Sequence, residues 1–446
     1  MHSISDFKIA IIGAGPAGLT LASLLTASSH PFDFTIFELR NRPDPSEVDI
    51  PCGNLDLQEE FGLDAIKACG LYPQFQQIQS GCTEQTKVLD KHGKVLFDEM
   101  GQGHPEISRN ALTQLLLSSV PAQCIRWGTK VLSITPSGGD SSLESKPTVE
   151  FQDKKTTLPA SETTSSETYD LIVGADGAWS RTRATIPSAP KPIYSGVCYI
   201  TMYLPRLADR YPELEKLIGG GTFAVCGDHK LVLAQRACHG TARVCLFLHS
   251  KCQTAAAAAQ KEKLSSSVDH DDTTGPNPLV TADHLLSTLP SNPQSLRKFL
   301  LTNEEFFASW SEDIKHLLSV ACEVQPADFE VDKEQMHMLP LAPYPHPHMR
   351  GIALVGDAAH LMTPFAGMGV NVAMQDSLRL AEALERMMVG GGMSSGTVGD
   401  VLDDALVAYE EKVHPEAKKA MDLTWLNLVR SYSEKGPEML GEVMAT

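Results

Sequence analysis

The stretch Gly13-Ala14-Gly15-Pro16-Ala17-Gly18 decides the fold, because it joins an isoleucine-rich apolar run, 7–12, to a stretch with helical spacing, 20–25. In such a unit the first glycine permits a tight turn, the second lets the backbone approach a pyrophosphate, and the third lets the helix pack closely on the strand. The next strand-like run ends at Glu38, twenty residues after Gly18, where a carboxylate accepts hydrogen bonds from an adenosine ribose. The pattern predicts a dinucleotide-binding unit, and the acid favours FAD or NAD over NADP there.

Composition and charge exclude several classes of protein. The chain has 446 residues, enough for two or three domains, and its net charge is 37 − 55 = −18. This charge repels phosphate backbones and anionic lipids, so neither nucleic acid nor a membrane surface is expected as a partner. The apolar stretch 9–25 is broken by glycines and a proline, which is typical of neither a signal peptide nor a membrane span. We expect a soluble, cytoplasmic protein.

No metal site is predicted. The ten cysteines include no C-x-x-C pair and no histidine at zinc-ligand spacing, so we expect mainly reduced thiols of an intracellular protein. Asp269, Asp271 and Asp272 resemble a calcium loop only weakly, because the acidic residue that closes such a loop is absent.

Apolar periodicity divides the rest of the chain. Ser108 precedes leucines at helical spacing and predicts a capped helix that ends before Pro121. Alternating runs predict an antiparallel sheet within 197–249, with strands at 199–204, 223–226, 231–236 and 243–248. Further strands are expected at 131–134, 169–173 and 352–355, and helices at 296–310, 370–388 and from 401 onwards. Loops rich in small polar residues are expected at 137–145, 156–168 and 254–278.

Two further glycine motifs each follow a strand-like run. The first is G-A-D-G-A-W-S, from Gly174 to Ser180, and by itself Asp176 could belong to a simple Asp-Gly turn. The second is G-D-A-A-H-L-M-T-P-F-A-G-M-G-V-N, from Gly356 to Asn371, in which Asp357 alone could be a helix cap.

In this order and spacing the three motifs resemble the FAD-dependent aromatic hydroxylases of the para-hydroxybenzoate hydroxylase fold. Within that superfamily the chain most resembles the tetracycline-inactivating flavin monooxygenases, through N-L-D-L at 54–57, S-R-N at 108–110 and the unbroken H-L-M-T-P-F-A-G-M-G-V-N. The resemblance implies an α/β fold: a Rossmann-like FAD-binding domain interleaved with an antiparallel β-sheet substrate domain and followed by a C-terminal helix. The expected FAD-binding parts are 1–75, 105–190 and 336–390, the substrate parts are 76–104 and 191–335, and the C-terminal helical segment is 391–446.

The resemblance also implies which residues contact the cofactor. Those that match cofactor-binding positions are Gly13, Gly15, Ala17, Gly18, Glu38, Arg40, Asp56, Arg109, Asp176, Gly356, Asp357, Pro364, Gly367, Gly369 and Asn371. By this likeness Asp357 hydrogen-bonds the ribityl chain, the loop from Pro364 lies beside the isoalloxazine, and Asp176 serves both FAD and the nicotinamide cofactor.

Physical chemistry supports two of these assignments independently. A cation in the first turn of a helix opposes the helix dipole, so Arg109 is unfavourable there unless an anionic ligand such as a phosphate binds it. The alternative is a solvated surface arginine. A glycine loop that opens the helix at Val370 points amides at its N-terminus, which suits negative charge on a reduced flavin.

The implied reaction uses FAD, NADPH or NADH, and O₂. The nicotinamide reduces FAD, O₂ adds to give a flavin C4a-hydroperoxide, and one oxygen atom enters an aromatic or polycyclic secondary metabolite, with hydroxylation as the expected outcome. No covalent catalytic residue is required, and His360 could be a base or a hydrogen-bonded structural histidine. Substrate contacts are expected from the antiparallel sheet, Phe365 and the helix near Trp425. The candidates are Tyr199, Met202, Phe223, Arg236, His249 and Phe365.

Three other classes compete with this interpretation. A flavin-dependent reductase or dehydrogenase of the same fold would saturate double bonds, and a non-catalytic FAD-binding redox sensor would turn over no substrate. A flavin-dependent halogenase is disfavoured, because the W-x-W-x-I-P stretch of those enzymes is missing here.

Overall fold

The computed structural model describes residues 7–49, 52–79, 85–100, 105–137, 146–154, 164–237, 240–249, 285–326, 328–390, 397–433 and 435–444. The predicted loop 254–278 lies outside these residues, as do nearly all of the predicted loop 137–145 and the first part of 156–168.

The described residues form both strands and helices. The strands are β1 (Lys8–Ile12), β2 (Asp33–Glu38), β3 (Asn54–Asp56), β4 (Gln85–Asp90), β5 (Val95–Met100), β6 (Glu106–Ser108), β7 (Ile125–Trp127), β8 (Thr129–Thr135), β9 (Thr148–Asp153), β10 (Thr164–Thr168), β11 (Leu171–Gly174), β12 (Ile193–Leu204), β13 (Thr222–Gly227), β14 (Lys230–Arg236), β15 (Ala242–His249), β16 (Lys333–Met338) and β17 (Ile352–Leu354). The helices are α1 (Pro16–Ala27), α2 (Gly62–Ala68), α3 (Tyr72–Ile78), α4 (Arg109–Leu117), α5 (Leu207–Arg210), α6 (Pro212–Ile218), α7 (Pro293–Thr302), α8 (Glu312–Glu323), α9 (Asp357–His360), α10 (Gly369–Gly390), α11 (Val398–Ser431) and α12 (Gly436–Met444).

A parallel sheet forms the centre of the half that contains the first glycine motif. Its strand order is β17-β11-β1-β2-β7, and every neighbouring pair is parallel. Side chains of β1 alternate between two layers, because Ile9 and Ile11 pack among α1, α4 and α10, while Ala10 and Ile12 face the three-stranded sheet β10-β9-β8. Burial on both faces explains why this strand is apolar throughout. The predicted α/β fold with a Rossmann-like unit is confirmed.

A seven-stranded sheet forms the other half, in the order β16-β12-β15-β14-β13-β4-β5. The predicted antiparallel strands are present, but β13 pairs in parallel with β4, so the sheet is mixed at that point. The strand predicted at 199–204 is longer than expected, since β12 begins at Ile193 and pairs with both β15 and β16.

The helix predicted over 296–310 is wrong at its end. α7 stops at Thr302, because the Asn303 side chain accepts the Glu305 N–H at 2.9 Å and its carbonyl accepts the Phe306 N–H, which starts a turn in place of another helical turn. α8, which the periodicity analysis missed, follows after this turn.

The strands of the two large sheets come from alternating stretches of the chain. Two of the domain boundaries expected from the sequence fall inside a helix or a strand. The boundary at 75/76 lies within α3, and the boundary at 335/336 lies within β16, which belongs to the seven-stranded sheet up to Met338.

The 34-residue helix α11 joins the two halves. Near its start Tyr409 packs with the nucleotide-binding core and its hydroxyl donates to the Leu354 carbonyl of β17 at 2.9 Å. Near its end Trp425 and Leu428 pack against the seven-stranded sheet. Pro415 lies inside the helix between these two contacts.

Candidate active site

The three glycine-containing turns meet at one edge of the parallel sheet. They follow β1, β11 and β17, which are adjacent, and the carboxyl ends of parallel strands share an edge. Backbone hydrogen bonds join the turns: the Ala175 N–H donates to the Ile12 carbonyl at 2.9 Å, and the Val355 N–H donates to the Gly174 carbonyl at 3.0 Å. Motifs that are far apart in the chain therefore form a single site.

The glycines of the first turn differ in what a side chain at each position would contact. Gly13 has φ +107°, and a Cβ there would collide with the Ala175 carbonyl oxygen, while a Cβ on Gly18 would collide with the Gly13 carbonyl oxygen. A Cβ on Gly15 would meet no atom of the described residues within 4 Å, and the same holds at Gly369. The fold explains Gly13 and Gly18, whereas Gly15 and Gly369 leave room for a ligand that approaches the backbone, which fits a dinucleotide.

Ala17 and Gly356 bring the first turn against the third motif. The Ala17 carbonyl accepts the Ser377 hydroxyl of α10 at 2.8 Å. Gly356 has φ +62°, and a Cβ there would lie 3.0 Å from the Ala373 Cβ and 3.3 Å from the Ala17 Cβ. Close contact between α1, α10 and this turn therefore requires glycine at 356.

Glu38 lies at the end of β2 as predicted, and its side chain is 6% exposed. Its carboxylate accepts the Ala14 N–H at 2.7 Å, the Arg40 N–H at 2.8 Å and the Arg40 Nε at 2.9 Å. Burial acts to raise the pKa of Glu38, but the hydrogen bonds from Arg40 and Ala14 outweigh it and lower the pKa. The side chain is therefore an ionised acceptor, and the 68% exposed Arg40 side chain lies over it.

Asp357 and Arg109 lie near enough to each other for their charges to interact. Both side chains are solvent-accessible, although the residues on either side of Asp357 are buried. Desolvation by the surrounding protein, and then the nearby Arg243 guanidinium, lower the pKa of Arg109, while Asp357 acts to raise it. Arg243 approaches from β15, and its Nη1 would lie 2.9 Å from a Cβ on Gly53. Sequence reasoning missed Arg243, because nothing in an alternating strand indicates which residue reaches the neighbouring domain.

Asn371 fixes the loop that carries Pro364, Gly367 and Gly369. It is fully buried, its Oδ1 accepts the Gln58 N–H at 2.8 Å, and its Nδ2 donates to the carbonyls of Asp56 at 2.8 Å and Gly367 at 3.2 Å. The Pro364 carbonyl accepts the Gly367 N–H at 3.1 Å, which closes the turn. The Asn371 side chain therefore orders the loop from within.

Asp176 organises the turn after β11. It accepts the Ser180 hydroxyl and the N–H groups of Arg181 at 2.7 Å and Thr182 at 3.2 Å. These hydrogen bonds show that the Asp176 side chain stabilises the turn of its own motif. A direct contact between Asp176 and a cofactor stays a prediction.

The substrate candidates divide between the two faces of the seven-stranded sheet. Tyr199, His249 and Phe365 lie on the face toward the end of α11. The Phe365 ring centroid is 5.9 Å from that of Phe247, the Tyr199 ring is 6.0 Å from Phe247, and the His249 ring is 5.1 Å from Tyr432. Together with Trp425 and Leu428, these residues form an aromatic wall.

Met202, Phe223 and Arg236 lie on the opposite face, and we correct their assignment as substrate contacts. Met202 and Phe223 are fully buried among the side chains of α7 and α8. The Arg236 Nη1 lies 3.1 Å from the Glu215 Oε1 of α6. Adjacent residues of a strand point to opposite faces, so the choice of face requires the register, which the sequence pattern left open.

Two further residues hold the site from beneath, and neither was predicted. Arg183 is 3% exposed and donates to the Ala358 carbonyl at 3.0 Å. Asp376 is 2% exposed and accepts the Gly356 N–H at 2.8 Å. The sequence carries no local signal for either residue, because Arg183 follows Arg181 and Thr182, and Asp376 lies between Gln375 and Ser377.

Fold and site together define a flavoprotein. A glycine turn with an acid on the second strand, an aspartate turn on a neighbouring strand and a glycine loop at a helix N-terminus share one edge and fit FAD.

Comparison with known proteins identifies the family. A model described as "FAD binding domain" matches residues 309–424, and one described as "NAD(P)-binding Rossmann-like domain" matches 11–47. The monooxygenase penA of Penicillium thymicola is 66% identical over 447 residues, 100% of both chains, and the monooxygenase asqM of Emericella nidulans is 61% identical over 449 residues, 99% of both. The chain belongs to the FAD-dependent monooxygenases, which use FAD and a nicotinamide nucleotide as cofactors and O₂ as a co-substrate.

Solved structures share the fold at low identity. HpxO of Klebsiella pneumoniae, in complex with FAD and uric acid, gives a TM-score of 0.66 at 16% identity and covers 99% of this chain and 93% of its own. The tetracycline destructase Tet(51) gives 0.60 at 19% identity, with 98% and 95% covered. The resemblance expected from the motifs is confirmed. Within the described residues, no helix has the length and apolar character that crossing a membrane demands.

Proposed function

We propose that the chain is a single-component monooxygenase that uses NADPH or NADH and O₂ to insert one oxygen atom into an aromatic or polycyclic secondary metabolite, by hydroxylation. The observation that carries this proposal is the position of Phe365. It lies two residues before Gly367 in the loop assigned to the flavin, and its ring also lies 5.8 Å from Tyr432 and 5.9 Å from Phe247. The cofactor loop and the aromatic wall are therefore neighbours.

FAD would lie along the shared edge of the sheet. Its pyrophosphate would approach Gly15, its adenosine ribose Glu38, its ribityl chain Asp357, and its isoalloxazine the loop that opens α10 at Gly369. Once reduced, FAD supplies the activation of O₂ that the reaction needs. The 22-residue helix α10 directs its N-terminus to this place, where its dipole favours negative charge on the reduced ring.

The aromatic wall would orient the substrate and exclude water. Aromatic rings attract one another at centroid distances of about 4.5–7 Å, and the half-buried Tyr199 and Phe365 rings, which both pack on Phe247, would offer such faces to a planar molecule. The Asn427 Nδ2 donates to the Phe365 carbonyl at 3.1 Å, so α11 fixes the backbone that presents this ring. A fixed, apolar wall holds the reacting carbon near the flavin and protects the oxidant from water.

The comparisons support a small organic substrate. The relatives with more than 60% identity are named monooxygenases, and one structural neighbour was solved with uric acid and another, CtdE, with FAD and a substrate. An aromatic wall on this chain favours an aromatic or polycyclic molecule.

A two-step experiment tests the proposal. FAD-loaded protein is reduced anaerobically with NADPH or NADH, with and without candidate aromatic substrates, and is then mixed with isotopically labelled O₂. We expect faster reduction with the true substrate and a product that carries one labelled oxygen atom. A product with a saturated double bond and no label would identify the reductase alternative. Reoxidation without any product, across all candidates, would favour the redox sensor.

A further inference from the structure

A buried ionic pair lies directly beneath the turn that presents Asp357. The His360 Nε2 lies 2.6 Å from the Asp376 Oδ2, and both side chains are 2% exposed. The same Asp376 oxygen accepts the Gly356 N–H at 2.8 Å. Asp376 on α10 therefore holds the turn at its first and last residues.

Arg183 holds the same turn from the other side. Its Nη1 donates to the carbonyls of Asp357 at 3.2 Å and Ala358 at 3.0 Å, and its Nη2 donates to the Ala178 carbonyl. The backbone on both sides of Asp357 is thus tied to charged groups that belong to two other elements of the site.

These charged groups also surround the Asp357 carboxylate. Desolvation is the largest effect and raises the pKa of Asp357, and the charges of His360, Arg109 and Arg183 limit that rise. Asp376 outweighs the effect of burial on His360 and raises the pKa of that histidine, so the imidazole holds its positive charge more firmly.

Other titratable groups face the pair. His346 and His414 lie close enough for His360 to lower their pKa values, though burial is the larger cause for both. Tyr344 and Tyr409 are near Asp376.

Stability alone does not explain His360. Its buried Nδ1 has no hydrogen-bond partner within the part of the chain that the structure describes. An unpaired polar atom in the interior weakens folding, so the hydrogen bonding of the ring alone does not account for a histidine here. The imidazole is better explained by what its charge does to the turn above it.

We propose that Asp376, His360 and Arg183 are positioning residues that fix the turn from Gly356 to His360 and present the Asp357 carboxylate as a hydrogen-bond acceptor for hydroxyl groups of FAD. The inference rests on the proposed function in one respect, namely that Asp357 contacts FAD. It adds a second layer of charged residues that sets the affinity for FAD without touching it.

The test is FAD binding by FAD-free protein, followed by flavin fluorescence from pH 5 to 9. Asp376→Asn keeps an oxygen that can accept the Gly356 N–H and removes the charge, whereas Asp376→Leu removes both. We expect roughly tenfold weaker FAD binding in Asp376→Asn and a larger loss in Asp376→Leu, as loss of charged hydrogen bonds predicts.

The pH dependence of FAD binding by His360→Gln separates an electrostatic role of His360 from a purely structural one, because a loss of packing alone would not shift that dependence. Without the imidazolium, Asp357 takes up a proton at higher pH, so FAD affinity should begin to fall at a higher pH on acidification than in the wild type. His348→Gln is the matched control, because that histidine contacts Glu410 and Asp403 on α11 and lies outside the turn. It should leave the pH profile unchanged.

The outcomes separate this inference from the assignment of the cofactor. If Asp357→Ala loses FAD while Asp376→Asn and His360→Gln keep the wild-type affinity and pH profile, the inference is wrong and the cofactor site stands. If Asp357→Ala retains FAD, the assignment of Asp357 is wrong. Circular dichroism of each FAD-free variant verifies folding, and the near-isosteric Asp376→Asn decides the matter should the bolder substitutions unfold.

Discussion

Alanine at Gly15 and at Gly18 should separate two physical roles of glycine within one turn. Gly15→Ala adds a methyl group where no described atom lies within 4 Å, at backbone angles of φ −79° and ψ −178° that alanine adopts without strain. Gly18→Ala places the same methyl group against the Gly13 carbonyl oxygen and 3.2 Å from the Ala175 Cβ. The methyl group added by Gly15→Ala points toward the expected ligand, and the methyl group added by Gly18→Ala points into the protein.

The expected magnitudes differ in both stability and affinity. For FAD-free Gly15→Ala, the reduced freedom of the unfolded chain and the poorer helix N-cap nearly cancel, so the free energy of unfolding should change by less than about 0.5 kcal/mol. Gly18→Ala overpacks the contact between strand and helix and should cost about 1–3 kcal/mol. For FAD, Gly15→Ala blocks the approach of the pyrophosphate, and the lost hydrogen bonding to a charged group costs about 2–3 kcal/mol, or roughly 30- to 160-fold in Kd.

Two measurements on the same samples test this contrast. Urea unfolding of the FAD-free protein gives the free energy of unfolding, and a titration with FAD gives Kd. Gly15→Ala protein that binds FAD like the wild type would refute the reasoning, because the open space at this glycine would then not face the cofactor. A Gly15→Ala variant destabilised as much as Gly18→Ala would refute it equally.

Three other changes test different parts of the molecule. Phe365→Ala should open the aromatic wall and divert more of the NADPH oxidation to H₂O₂, and a peroxide assay that shows unchanged coupling would contradict this. Met202→Ala removes a fully buried side chain on the opposite face of the sheet, so it should cost about 2–5 kcal/mol in urea unfolding while the KM for substrate stays constant. The pKa of Glu38 lies below its ordinary value of 4.5, so its stabilising contribution is present above that pH and is lost as the pH falls through the folded-state pKa. Glu38→Gln should therefore flatten the acid limb of the stability curve, measured by thermal unfolding at several pH values, and an unchanged acid limb would contradict it.

The parts of the site that local chemistry determines were predictable from the sequence. The glycine turn requires glycine at 13 and 18 because the backbone itself leaves no room, and Glu38 follows at a fixed distance along the strand–helix–strand unit. The cap at Ser108 is equally local, since its hydroxyl accepts the Ala111 N–H at 3.1 Å. Each of these signals lies within a few dozen residues of chain.

The parts that depend on long-range packing were not predictable. Tyr199 and Met202 both belong to β12, and alternation alone does not say which of them faces the cofactor side. Arg183 and Asp376 act on a turn that is 174 and 20 residues away in sequence. From the sequence alone, a charged side chain at such a position is interpreted as a surface residue, because the residues that cover it come from distant parts of the chain.

The proline inside α11 has a consequence for how such an enzyme diversifies. Pro415 supplies no amide hydrogen, so the helix loses one internal bond between the segment anchored on β17 by Tyr409 and the segment that carries Trp425. A helix that lacks one such bond bends more readily at that point, so each segment can adjust to its own packing partners. Libraries for directed evolution toward new substrates would be best drawn from the ring positions Trp425 and Tyr432, with Asn427 kept, because its side chain holds the backbone of Phe365.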